Sequence, residues 1–224
     1  MKNEPNDVFK LARTAKGYRA RQNILKATAD ILGERGLDNV TVLAICERAG
    51  IGRTTLYNYF KDADEAIHAL MGEFAIEIQQ QFEQIHGERL RGVKRMAYCL
   101  RFILERAWRD PAWGKLAVTL RSASPQFDNY LIAQVSLEVT AGFENDEMSL
   151  SAHEANALPQ FIASVIADTS RKLSNKEAQL KDIKPVILLI LRASGVTEGL
   201  AREAASQKVS RALLARSWLV ESAL

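Results

Sequence analysis

Residues 41–62 read TVLAICERAGIGRTTLYNYFKD, and the order of residue types describes two short helices joined by a tight turn. Thr41 is a good N-cap for a helix running to about Ala49, because its hydroxyl can accept an otherwise unpaired backbone N–H. Gly50 follows after two turns, where an abrupt change of direction needs a positive φ, and Ile51 can plug the gap between the helices. A second helix is expected from about Arg53 to Phe60, with Leu56 and Phe60 four residues apart on its inner side. Two short helices about a glycine-containing turn make the helix-turn-helix plan, whose second helix enters the major groove of double-stranded DNA.

The outward side of that second helix carries Arg53, Thr54, Thr55, Tyr57, Asn58 and Tyr59. Arginine pairs with guanine edges and asparagine with adenine, while threonine offers a hydroxyl and a methyl to thymine. Tyr57 and Tyr59 suit phosphate contacts that fix register. A merely solvated face would be rich in Glu and Lys, whereas this stretch has no acidic residue. Thr41 before the first helix and Lys61 after the second complete the candidate DNA-binding set.

Upstream, a helix is expected from Tyr18 to Arg35, since Ile24, Ala27, Thr28, Ile31 and Leu32 recur at spacings of three and four. Gly36 suits the left-handed residue that closes a helix, with Leu37 folding back onto it. The preceding FKLARTAKGYRAR, residues 9–21, has five basic residues and no acidic one. It reads as a basic arm able to lie along phosphates or reach a minor groove. Residues 1–61 hold eleven Lys/Arg against six Asp/Glu, a balance of +5 within a whole-chain charge of +3. A basic head on a slightly acidic body fits a nucleic-acid module joined to a neutral partner.

From Ile24 through about Leu70 the chain resembles the tetracycline-repressor (TetR) family. The resemblance is carried by Ile45–Cys46, by the Ala49–Gly50–Ile51 turn and by Thr55 to Phe60, with the first helix at the family's spacing. It implies a dimeric regulator, usually a repressor, with C-terminal helices that bind a small-molecule inducer and release a palindromic operator. Three positions depart from the pattern: Cys46 where a small residue, usually Ala, packs; Gly52 at a cap usually held by Ser; and Ala63 in place of a phosphate-gripping Lys, which leaves Lys61 as the replacement.

The division into domains is expected at residue 61, with a ligand-binding and dimerisation body over 62–224. Asp62 caps the next helix with Glu65 as capping-box partner, and the stripe Ile67, Leu70, Met71, Phe74, Ile78, Phe82 carries it to about Ile85. The resemblance makes this helix the link whose tilt changes the spacing of the two heads. Further helices are expected over 92–109, 112–120, 125–142, 151–173, 178–193 and 197–218, giving nine or ten in an all-α fold. Phe143 to Ser149 reads as a polar loop. Tyr98, Phe102, Trp108, Trp113, Phe127 and Tyr130 concentrate aromatic rings in the central helices and are the candidate ligand-binding residues for an apolar or amphipathic inducer. VILLIL, residues 186–191, is apolar all round and needs cover on several sides. The resemblance places the helices near 151–173 and 178–193 in a four-helix homodimer interface.

Composition argues against other classes. Hydrophobic residues are 47% and charged residues 25%, ordinary for a globular protein. No stretch approaches the roughly 20 apolar residues of a membrane span. The segment MKNEPNDVFKLAR lacks the apolar core of a signal peptide, and two distant cysteines suit a reducing cytoplasm. The enzyme alternative, a helical metal-dependent oxidoreductase, rests on two Glu-x-x-His pairs, Glu65/His68 and Glu83/His86. They stand 18 residues apart on one expected helix, about 27 Å along its axis, too far for one metal site. A ligand carrier whose head has lost DNA binding is a third reading, motivated by Gly52 and Ala63. No catalytic residue, metal or cofactor is expected.

Overall fold

The apolar spacing of three and four becomes buried stripes on ten helices, with no strand among the described residues. A computed structural model describes residues 15–86, 90–211, 213 and 214. The helices are α1 (Ala15–Arg35), α2 (Val42–Ala49), α3 (Arg53–Tyr57), α4 (Ala63–His86), α5 (Gly92–Arg109), α6 (Pro111–Ala123), α7 (Pro125–Glu144), α8 (Ala152–Ser174), α9 (Leu180–Ala193) and α10 (Glu198–Ala204). They fall into two compact units, one reaching Ile76 and the other starting at Glu77, so the division lies within α4.

In the first unit, Ile24, Ala27, Thr28, Ile31 and Leu32 are all buried, and the Thr28 hydroxyl is satisfied by donating to the Ile24 carbonyl at 2.8 Å. The end of α1 differs from expectation. Gly36 has φ 80° but ψ 177°, outside the left-handed helical region, and Leu37 stays 42% exposed. The Asn39 side chain closes the helix instead, donating to the Arg35 carbonyl at 2.6 Å. Glu65 also reaches one residue beyond a standard capping box. Its own N–H donates to Asp62 at 2.8 Å, and its carboxylate accepts the N–H of Lys61 at 2.5 Å.

In the second unit α5 is central, packing against α6, α7, α8, α9 and α10. Met96, Leu100, Leu104 and Ala107 are buried at helical spacing with Ile103 half-buried, and Val93, Tyr98, Phe102 and Arg106 are buried as well. Helix boundaries follow cap chemistry. Asp110 before Pro111 accepts the Trp113 N–H, Ser124 before Pro125 accepts the Phe127 N–H, and Ser151 forms a capping box with Glu154. Proline at the first helical position loses no bond, since that N–H has no intrahelical partner.

The expected last helix, 197–218, is shorter: α10 ends at Ala204, and the described residues beyond it are not helical. The backbone there finds partners on α5. Arg101 donates to the Ala205 carbonyl at 2.6 Å, and the Ser210 N–H donates to the Tyr98 hydroxyl at 2.9 Å. The loop after α7 is likewise less polar than its sequence suggested, since Met148 is buried.

Gly195 ends α9 with φ +70°, and a Cβ there would lie 2.3 Å from the Ser149 backbone oxygen. Gly195→Ala should therefore destabilise the protein by about 3 kcal/mol. Gly199→Ala, in open space on α10, should stabilise it by about 0.5–1 kcal/mol. Urea unfolding followed by circular dichroism at one protein concentration measures both.

Candidate nucleic-acid interface and ligand cavity

The turn between α2 and α3 is built by backbone bonds that only a left-handed residue permits. Gly50 has φ 65° and ψ 36°. Its N–H donates to the Glu47 carbonyl and that of Ile51 to the Cys46 carbonyl, at 3.3 and 3.0 Å, the pairing of a Schellman ending. At the other end of α2 the Thr41 hydroxyl accepts the Ala44 N–H at 3.2 Å. Two side-chain ties fix α2 on α1: Asn23 donates to the Ala49 carbonyl at 2.8 Å, and Arg48 grips Glu34 with two bonds at 3.0 and 2.6 Å.

Gly52 caps α3 with no side-chain bond. Leu56 is fully buried, and Arg53, Thr54, Tyr57 and Asn58 are exposed with Thr55 half-buried. Arg53 makes no ion pair among the described residues, whereas Lys61, 86% exposed at its side chain, lies 3.5 Å from Asp62. Tyr59 departs from expectation: it is 8% exposed. The helix ends at Tyr57 rather than Phe60, and the Tyr59 and Phe60 N–H groups both fold back to the Leu56 carbonyl, at 2.9 and 3.0 Å. Positions 59 and 60 therefore follow Leu56 inward.

The basic arm lies partly outside the described residues, and its last seven positions are the first turns of α1. Arg21 is used within the head: it pairs with Glu73 at 2.7 Å and stands over the Phe60 ring at 5.8 Å. Lys16 and Arg19 are exposed. The Glu65/His68 pair is spent locally, since His68 Nδ1 meets the Asp64 carbonyl at 2.8 Å while Glu65 caps α4. The side chain of His86 lies outside the described residues. Cys46 and Cys99 are free and buried, and burial pushes the Cys99 thiol pKa well above its usual value, with the neighbouring Glu138 acting in the same direction.

The second unit holds a cavity of about 90 Å³ between residues of α4 to α8. Of the six candidate ligand residues, Phe102 and Trp113 line it. The other four do not. Tyr98 is held by Ser210, and Trp108 carries the Lys176 ammonium 5.6 Å from its ring centre. Phe127 and Tyr130 pack on each other at 6.5 Å. Aromatic content alone could not separate these roles. The missed lining residues include Arg121, Gln134, Glu138 and Ser170. Their signal was available as polar residues at stripe spacing: Leu131, Gln134, Val135 and Glu138 share one face of α7, as Ala163, Ile166, Ala167 and Ser170 do on α8.

Beside the cavity lies a buried guanidinium. Arg106 is fully buried, stands 5.3 Å from the Trp113 ring centre and reaches Glu77 at 3.5 Å. Burial lowers its pKa, which the charges of Glu77 and Asp110 partly offset.

These features define a helix-turn-helix DNA-binding regulator with a separate helical body. Residues 24–70 match the family model described as "Bacterial regulatory proteins, tetR family". The fold of the whole is similar to RolR crystallised with resorcinol, at 22% identity over 88% of this chain and 98% of that one, with a TM-score of 0.61. It is also similar to a gamma-butyrolactone receptor (13% identity, 88% and 97% coverage, TM-score 0.68). A third is a TetR-like transcriptional regulator from Rhodococcus sp. RHA1 (16%, 81% and 96%, TM-score 0.62). Comparison with curated proteins finds no match. No helix among the described residues is long and apolar enough to cross a membrane.

The opposite placement of two neighbouring tyrosines is directly checkable. Tyr59→Ala should cost about 3 kcal/mol of stability, as truncation of a buried aromatic does. Tyr57→Ala, on the exposed side, should stay within about 0.5 kcal/mol of the parent. Denaturant midpoints measured side by side decide it.

Proposed function

We propose that this chain is a cytoplasmic, dimeric transcriptional repressor that binds a palindromic operator and is released by a small molecule held in its body. The observation that carries the reading is α3. Its polar residues Arg53, Thr54, Tyr57 and Asn58 stand exposed on a segment anchored by Leu56 and Phe60, inside the stretch that matches the family. Arg53 and Asn58 are the base-reading side chains, Thr54 and Thr55 contribute hydroxyl and methyl contacts, and Thr41, Tyr57 and Lys61 bind phosphates. Tyr59 is left out of this set because its ring is buried.

Two further features support the rest of the reading. Phe161 on α8 is 47% exposed and Leu189 on α9 is 62% exposed, so the apolar surface of these helices is not fully covered within one chain. A second copy of the chain is the proposed cover, with α8 and α9 of each forming a four-helix contact. The cavity gives the inducer a place, and two similar folds belong to proteins whose names carry a small molecule, resorcinol in one and gamma-butyrolactone in the other. Helix α4 contributes Ile78 and Phe82 to the cavity wall and Leu70 and Phe74 to buried packing.

A gel shift with DNA selected by the protein, or taken from upstream of its own gene, tests the proposal; no shift at low salt on any sequence would overturn it. Arg53→Ala should cost about 1–3 kcal/mol and relax preference at one base step. Lys61→Ala should weaken all sequences alike and reduce the salt slope by about one. A Phe161→Asp, Leu189→Asp double variant should sediment as a monomer and lose operator binding, because each head alone contacts only one half-site.

A further inference from the structure

We infer that the cavity of the body takes an uncharged molecule of about one ring, bearing a hydroxyl or carbonyl group that pairs with the hydroxyl of Ser170. The inference rests on reading the body as the ligand-binding half, and it adds the chemical class of the ligand.

Size and shape come first. The free space of about 90 Å³ is several times the roughly 10–15 Å³ that one water needs in the same measure, which suits one substituted ring. Phe82 and Phe102 meet edge to face at 6.4 Å, and with Trp113 they give the wall three aromatic surfaces. Such surfaces favour another ring through offset and edge contacts.

Charge comes second. Two ionised groups line the cavity, and each is already matched by the protein. Arg121 donates from Nε to Asp128 and from Nη1 to the Ala163 carbonyl. Glu138, 8% exposed, accepts from Arg95 Nε at 2.8 Å. A ligand carboxylate would share Arg121 with Asp128 and face Glu138, and a ligand ammonium would share Glu138 with Arg95 and face Arg121. Either adds a net charge to a poorly hydrated site whose own charges are already balanced, and an uncompensated ion there costs more than the shared contact returns. The walls therefore select against both signs.

The polar anchor comes third. Ser170 is 3% exposed and lines the cavity, yet its Oγ has no hydrogen-bond partner among the described residues. Buried hydroxyls are normally paired. Its neighbour four residues on, Ser174, bonds the Ser170 and Ala107 carbonyls, whereas the Ser170 hydroxyl makes no such bond. A serine hydroxyl donates one bond and accepts two, and reorients by a single staggered χ1 step. A ligand hydroxyl or carbonyl supplies the missing partner.

Titration calorimetry on the full-length protein with phenol, toluene, benzoate and benzylamine (cationic at pH 7) tests this. Phenol should bind at least tenfold more tightly than benzoate or benzylammonium. Ser170→Ala should weaken phenol fivefold to tenfold and leave toluene within twofold, which separates loss of the hydroxyl from loss of packing. Benzoate or benzylammonium binding as tightly as phenol, an unchanged phenol affinity in Ser170→Ala, or no binding by any of the four compounds would overturn the inference. Ala167→Phe, confirmed folded by circular dichroism, fills the cavity and should abolish phenol and toluene binding together. Persistence of phenol binding in that variant would overturn the reading of the body as the ligand half along with the inference. A gel shift on the same preparation without compound reports the DNA reading independently.

Discussion

A five-residue helix cannot stand alone, since isolated helices shorter than about 12–15 residues are marginal in water. That constraint governs the DNA-facing half of this protein. Helix α3 exists because Leu56 is fully buried and because Tyr59 and Phe60, bonded back to its carbonyl, follow it inward. Its N-terminal cap contributes little, as Gly52 has no side chain to offer. Tertiary packing therefore replaces local helix stability, and the same packing fixes which polar side chains are left outside.

The body solves a different problem with the same material. Burying nearly the whole circumference of α5 brings Arg95, Arg101 and Arg106 into low-dielectric surroundings, and each is answered by a carboxylate: Glu138, Glu105 and Glu77. Around the cavity this matching leaves apolar walls with little net charge. Helix α4 then takes part in both halves of the chain, with its apolar stripe continuing past Ile76 to Phe82 and Ile85.

Much of this was legible in the residues. The stripe of α1, the Gly50 turn, the Thr41 and Asp62 caps and the limits of α5 follow from local chemistry, because spacing, capping hydroxyls and left-handed glycines act over four or five residues. The cavity wall was legible only in part. Phe102 and Trp113 belong to the cavity wall, but Tyr98, Trp108, Phe127 and Tyr130 do not. Aromatic residues serve core, cation and cavity equally well, so composition could not distinguish them.

The amino-acid order by itself determined the all-α class, the helix-turn-helix and the family model that residues 24–70 match, since these depend on periodicity and on contacts close along the chain. Tertiary structure alone decided that Tyr57 faces outward while Tyr59 is buried, that α10 stops at Ala204 where Arg101 and Tyr98 capture the following backbone, and that the Ser170 hydroxyl is buried with no partner among the described residues. Those outcomes turn on groups up to 112 residues apart in sequence, whose meeting no local pattern encodes.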